Sequence, residues 1–151
     1  MEKITYDIST SLENAGYISS KIKRMLNGWG VDKQIIRRVA IASYEAEINV
    51  VIHSYGGICN VEYDDKELRI EFLDRGPGIP SIENAMKEGW STASQQDREN
   101  GFGAGMGFPN MKKAADELIV ESSPDGTRVV LVFKLQGDSK WKFATCKILV
   151  S

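Results

Sequence analysis

Two pairs of strand patterns, each joined by a turn, limit the folds open to this chain more than any other feature. Ile58–Asp64 and Glu67–Asp74 flank a tight Asp65-Lys66 turn region, and Leu118–Ser122 and Thr127–Leu135 meet across Pro124-Asp125-Gly126. Links that short make hairpins, because a parallel crossover needs a dozen residues or more. The sheet they build is therefore largely antiparallel. Ile4 to Ile8 alternates apolar and polar residues and adds a strand ahead of them. Between that strand and the first hairpin the period changes to three and four. Ser9, Thr10 or Ser11 is read as the cap of a helix carrying Leu12, Ala15, Ile18, Ile22, Met25 and Leu26, ended by Gly28 and Gly30. Asp32 caps a second helix with Ile35, Ile36, Val39, Ala42, Ile48 and Ile52 as its stripe, closed by Tyr55-Gly56-Gly57. A short helix over Ser81–Glu88, another over Phe108–Glu117 and a last strand at Phe143–Val150 complete the reading. Helices with a single sheet face to pack on predict an α+β two-layer sandwich. The expected organisation is one domain over residues 1–136, with 137–151 as a C-terminal tail carrying the extra strand.

Composition narrows the function classes. The chain has 151 residues, enough for one domain-sized core. Its 19 Lys and Arg against 21 Asp and Glu leave a net charge of −2, so neither nucleic acid nor an anionic membrane is an expected partner. No apolar run approaches the roughly 18 residues of a membrane span. The opening MEKITYDIST lacks the apolar stretch of a signal peptide, so a cytoplasmic location is expected. Two cysteines, Cys59 and Cys146, and one histidine, His53, exclude CxxC zinc sites and disulfide scaffolds. Isolated cysteines of this kind read as small buried hydrophobes.

Four short constellations carry the chemistry. Seven of the 14 glycines (Gly76, Gly78, Gly89, Gly101, Gly103, Gly105 and Gly107) lie between positions 76 and 107. The alternating run at 101–107 is either a loose surface loop or, since it leads straight into a helix, a phosphate cradle of backbone N–H groups. It is neither a P-loop nor a dinucleotide fingerprint: no glycine precedes a lysine, and Met106 and Phe108 occupy the required third positions. Glu45, Asn49 and His53 fall one turn apart on one helix face. They form either a solvent-facing polar row or a carboxylate base beside an amide oxygen for a hard cation such as Mg²⁺. Asp74 ends a strand ahead of Gly76 and Gly78, a turn that also suits a hydrogen bond from an exocyclic amine. Gly126-Thr127 opens a strand and by itself is hairpin chemistry.

In order along the chain the four resemble the N, G1, G2 and G3 boxes of the GHKL (histidine-kinase-like) ATPase superfamily: Glu45-x-x-x-Asn49, Asp74-x-Gly76-x-Gly78, Gly103-x-Gly105-x-Gly107 and Gly126-Thr127. Their spacing, with Ala85-Met86-x-x-Gly89-x-Ser91-Thr92 ahead of G2, looks most like bacterial anti-sigma-factor serine/threonine kinases of the switch-kinase branch. The likeness covers residues 4–135. It implies ATP and Mg²⁺ as cofactors. Asp74 would hold the adenine amine with Gly76, Gly78 and Thr127 around it, and Asn49 would be the metal ligand. Gly103, Gly105 and Gly107 would hold phosphates, residues 89–104 would be the lid, and Glu45 would be the catalytic base. The implied partner is a STAS-type anti-anti-sigma protein, with a sigma factor or a phosphatase as a further one, and a homodimer as the assembly. The alternative is a non-catalytic, nucleotide-dependent anti-sigma or phosphatase-regulating module.

Overall fold

A computed structural model describes residues 2–87, 107–135 and 145–150. In chain order the elements are β1 (Glu2–Ile8), a 3-10 turn (Leu12–Asn14), α1 (Tyr17–Gly28), α2 (Lys33–His53), β2 (Gly57–Tyr63), β3 (Glu67–Asp74), α3 (Ile82–Ala85), α4 (Gly107–Ala114), β4 (Glu117–Ser123), β5 (Gly126–Lys134) and β6 (Thr145–Val150). The strands form one sheet in the order β1-β2-β3-β5-β4-β6. The first four neighbouring pairs are antiparallel, and both expected hairpins are present, with Gly57 opposite Asp74 and Ser123 opposite Gly126. The strand expected in the tail also forms. It runs parallel to β4, from Thr145 beside Glu117 to Val150 beside Ser122.

Alternation along each strand sorts side chains onto two faces. On one face Cys59, Val61, Leu68, Ile70, Phe72, Leu118, Val120, Leu131 and Phe133 are buried, in one cluster with Ile18, Ile22 and Leu26 of α1, Val39, Ala42 and Ala46 of α2, and Met111 of α4. Fully burying each large side chain contributes about 1.5–3 kcal/mol. The other face carries a polar ladder across five strands. Thr5 Oγ1 donates to Asn60 Oδ1 at 2.8 Å, and Asn60 Nδ2 to Glu71 Oε1 at 2.9 Å. Arg128 donates to Glu71 at 2.6 Å and to Glu121 at 3.1 Å. The described helices pack on the first face, as the expected α+β sandwich requires, while Val130 and Val132 are buried among the polar residues of the second. Cys59 is buried as expected, and burial pushes its thiol well above the ordinary cysteine range. The side chain of Cys146 lies outside the described residues.

Besides α3, which ends at Ala85 where Glu88 was expected, two helix boundaries differ from the sequence reading by more than a residue. Leu12–Asn14 forms only a 3-10 turn, and the first α-helix starts at Tyr17 behind Gly16, whose φ is +89°. None of Ser9, Thr10 and Ser11 caps it. Its first-turn amides bond instead to Glu47 of α2. The second is the end of α4, which stops at Ala114 where Glu117 was expected. There Arg38 Nε donates to the Ala114 carbonyl at 2.8 Å, and Arg38 Nη2 meets Asp116 Oδ1 at 2.9 Å. Asp116 Oδ2 accepts the Lys134 N–H at 2.7 Å, which turns the chain into β4. Asp32 caps α2 as read, accepting the Gln34 N–H at 2.8 Å, and Ser81 caps α3 by accepting the Asn84 N–H at 3.2 Å.

Candidate nucleotide site

The middle of α2 carries Glu45 and Asn49 half-buried on one face. The first residue of α4, Gly107, lies directly against them: a β-carbon there would sit 3.4 Å from both Glu45 Oε2 and Asn49 Oδ1. Asn110, one turn into α4, donates from Nδ2 to Glu45 Oε1 at 3.3 Å. Burial pushes the Glu45 carboxyl above the ordinary glutamate range, and the Asn110 bond pulls it partly back. Asn49 Nδ2 is buried with no hydrogen-bond partner among the described residues. A buried polar atom left this way is costly, and a ligand would relieve it. His53 is the last residue of α2 and is half-buried.

The second part of the site lies where β3 ends. Asp74 Oδ1 accepts two backbone N–H groups, from Gly76 at 3.0 Å and from Thr127 at 2.9 Å. Both bonds fall on one oxygen, so Oδ2 is left to accept from a ligand. Gly76 and Gly78 have φ of +98° and +93°, where a side chain is strained. Space forbids one too: a β-carbon at Gly76 would approach the Pro124 carbonyl to 2.9 Å, and one at Gly78 would strike the Ser123 carbonyl. Ser122 Oγ stitches this loop to the β4–β5 hairpin, accepting the Ile79 N–H at 2.8 Å and pairing with Thr127 Oγ1 at 2.9 Å. The two parts share a frame, because the Tyr55 N–H donates to the Gly76 carbonyl at 3.1 Å and the Arg75 N–H to the Gly56 carbonyl at 3.0 Å. The segment that ends α2 is thus laced to the Asp74 loop.

Glu45, Asn49 and Gly107 come together as one group, and Asp74, Gly76, Gly78 and Thr127 as another. Gly103 and Gly105, with the expected lid at 89–104, lie outside the described residues. Sequence reading missed Asn110, Ser122 and Glu47. Ser122 left a signal, since it follows Leu118 and Val120 on the inward face of β4, where a polar residue needs a partner. Glu47 left one as well: it falls between Ser43 and Val51 on a buried row of α2.

Residues 8–133 match the histidine kinase-like ATPase domain. The chain belongs to that family. Among its relatives are proteins named anti-sigma F factor. The one from Thermoanaerobacter sp. strain X514 is 36% identical over 110 residues, covering 70% of this chain and 73% of its own. The one from Clostridium novyi is 28% identical over 141 residues, covering 89% and 95%. The fold matches the crystal structure of the RsbU and RsbW domains of Rv1364c from Mycobacterium tuberculosis, with a TM-score of 0.64 at 16% identity. That match covers 96% of this chain and 35% of the other, and it speaks to fold alone. Membership in an ATPase domain family implies a nucleotide-binding site. Among the described residues, no helix of this histidine kinase-like ATPase is long and apolar enough to cross a membrane.

Proposed function

We propose that the protein is an ATP- and Mg²⁺-dependent serine/threonine kinase of the anti-sigma type, acting on a STAS-type anti-anti-sigma partner and also engaging a sigma factor. The observation that carries this reading is the meeting of Glu45 and Asn49 with Gly107 at the start of α4. A carboxylate, an amide whose nitrogen has no partner among the described residues and the first residue of a helix thus stand together. The N-terminal N–H groups of α4 suit phosphate oxygens, and the missing β-carbon at Gly107 lets them approach. The Asn49 amide fits a hard cation, which keeps waters and phosphate oxygens as its other ligands. When bound, Mg²⁺ supplies neutralisation of the phosphate charge. Asp74 Oδ2 is free to accept the adenine amine, while Oδ1 holds the surrounding loop closed.

Glu45 would take the proton of a partner's serine or threonine hydroxyl as that oxygen attacks the terminal phosphorus of ATP and ADP leaves. A raised carboxyl suits a general base, because catalytic pKa values are best placed near working pH. The names and identity levels of the relatives support the anti-sigma assignment. Incubation with ATP labelled in its terminal phosphate and STAS-type proteins tests the proposal. Label appearing on a partner serine or threonine is the expected result. ATP binding with no transfer to any such partner would make the protein a nucleotide-dependent binding module instead.

A further inference from the structure

Glu47 is buried in the middle of α2, 2% exposed, and the chemistry above makes no use of it. Its carboxylate accepts three backbone N–H groups from the start of α1. Oε2 takes those of Gly16 at 3.1 Å and Ile18 at 3.2 Å, and Oε1 takes that of Ser19 at 3.1 Å. The helix has no cap of its own, since its N-cap residue is Gly16 in the left-handed region. The orphan amides of its first turn therefore depend on a side chain from another helix. Burial pushes the Glu47 carboxyl above the ordinary glutamate range, and its bonds to the α1 amides pull it partly back.

Position on α2 gives this bond set a consequence. Successive residues turn by about 100°, so Glu47 projects roughly opposite to both Glu45 and Asn49. The central helix is thus tied by three hydrogen bonds to α1 on one side, while its other side faces α4. On that second side Arg38, two turns before Glu45, bonds to the Ala114 carbonyl at 2.8 Å and to Asp116 at 2.9 Å; beside the site itself the tie is the 3.3 Å bond from Asn110, and the Asn49 amide nitrogen has no partner among the described residues. Into the core α2 buries Ile36, Val39, Ala42, Ala46, Val50 and Val51, whose contacts are non-directional, whereas the Glu47 bonds are directional.

We infer that Glu47 is a positioning residue for the nucleotide site, fixing the rotation of α2 and hence the direction of Glu45 and Asn49. The inference rests on the nucleotide reading proposed above. A glutamine cannot replace it, because one of its two terminal atoms would turn an N–H donor toward the amides of α1. If nucleotide binds only the setting that Glu47 holds, linkage is reciprocal: ATP must strengthen the start of α1, and loss of the pin must weaken ATP by the same factor.

The wild-type protein is tested first. Calorimetry measures ATP·Mg²⁺ binding, and amide exchange at Ile18 and Ser19 is followed with and without saturating nucleotide. Protection rising about fivefold or more is expected. Glu47→Gln is then titrated at a temperature where it is folded, beside Leu68→Ala, a core truncation at the end of β3 away from Asp74. Both lower the melting temperature, but only Glu47→Gln should lose ATP affinity, by about fivefold or more. ATP binding with unchanged protection at Ile18 and Ser19, or equal affinities in the two variants, overturns the positioning role and leaves the nucleotide site standing. Absence of ATP binding to the wild type overturns both. If Glu47→Gln does not fold, the wild-type exchange result alone decides.

Discussion

Asp74 Oδ1 takes both backbone bonds that close the loop, so changing the other oxygen tests binding apart from folding. Asp74→Asn with its oxygen kept toward Gly76 and Thr127 presents an amide donor where the adenine amine would donate. We expect a folded protein with ATP affinity reduced tenfold or more, about 1.4 kcal/mol; unchanged affinity by calorimetry would remove Asp74 from the site. Asn49→Ala should weaken Mg²⁺-dependent ATP binding more than metal-free binding, which titrations with and without the ion compare. Glu45 makes a prediction about pH. Its folded-state carboxyl is raised above the ordinary value, so the native state binds more protons there than the unfolded chain does. Its contribution to stability is then fully present below the ordinary glutamate range and is lost as pH rises through the elevated folded value. Glu45→Gln should flatten that part of the stability profile and raise the melting temperature near neutral pH; a profile parallel to that of the wild type would contradict the burial argument. At this scale the motif residues were legible because their types and order carry the chemistry. Asn110 was not, since it acquires its role from a helix distant in sequence, and for Glu47 the buried row marks its place but not its partners on α1.

Among the elements, α4 joins the site to the body of the protein. Gly107 at its start touches the Glu45–Asn49 pair, and Arg38 holds its end through the Ala114 carbonyl and Asp116. Asp116 is only 8% exposed, so Arg38→Ala strands a buried carboxylate with one fewer partner. We expect a loss of about 1–3 kcal/mol by denaturant unfolding; a loss below a few tenths would mean that the clamp is incidental. Strand and helix types were readable because alternation and three-four spacing are local, and β3 spans the expected Glu67–Asp74. The start of α1 was misread for a physical reason. Three hydroxyl residues at 9–11 are good caps in isolation, but the capping carboxylate comes from Glu47, 31 residues away from Gly16.

For the whole molecule, one face of the sheet seats α1, α2 and α4 together, and the proposed nucleotide site lies along the central one of the three. That arrangement followed from the two hairpins and the two helices between β1 and β2. The parallel pairing of β6 with β4 did not, because strand period does not disclose direction. The account as a whole turns on Glu45, whose place beside Asn49 and Gly107 is what the proposed kinase reading rests on. The measurement that tests it most directly is paired: ATP affinity and single-turnover phosphoryl transfer to a STAS-type partner, in the wild type and in Glu45→Gln. ATP affinity within a few-fold of wild type, with transfer reduced by roughly 10²-fold or more, is the predicted result. Transfer at the wild-type rate in Glu45→Gln would contradict it and withdraw the base from the mechanism.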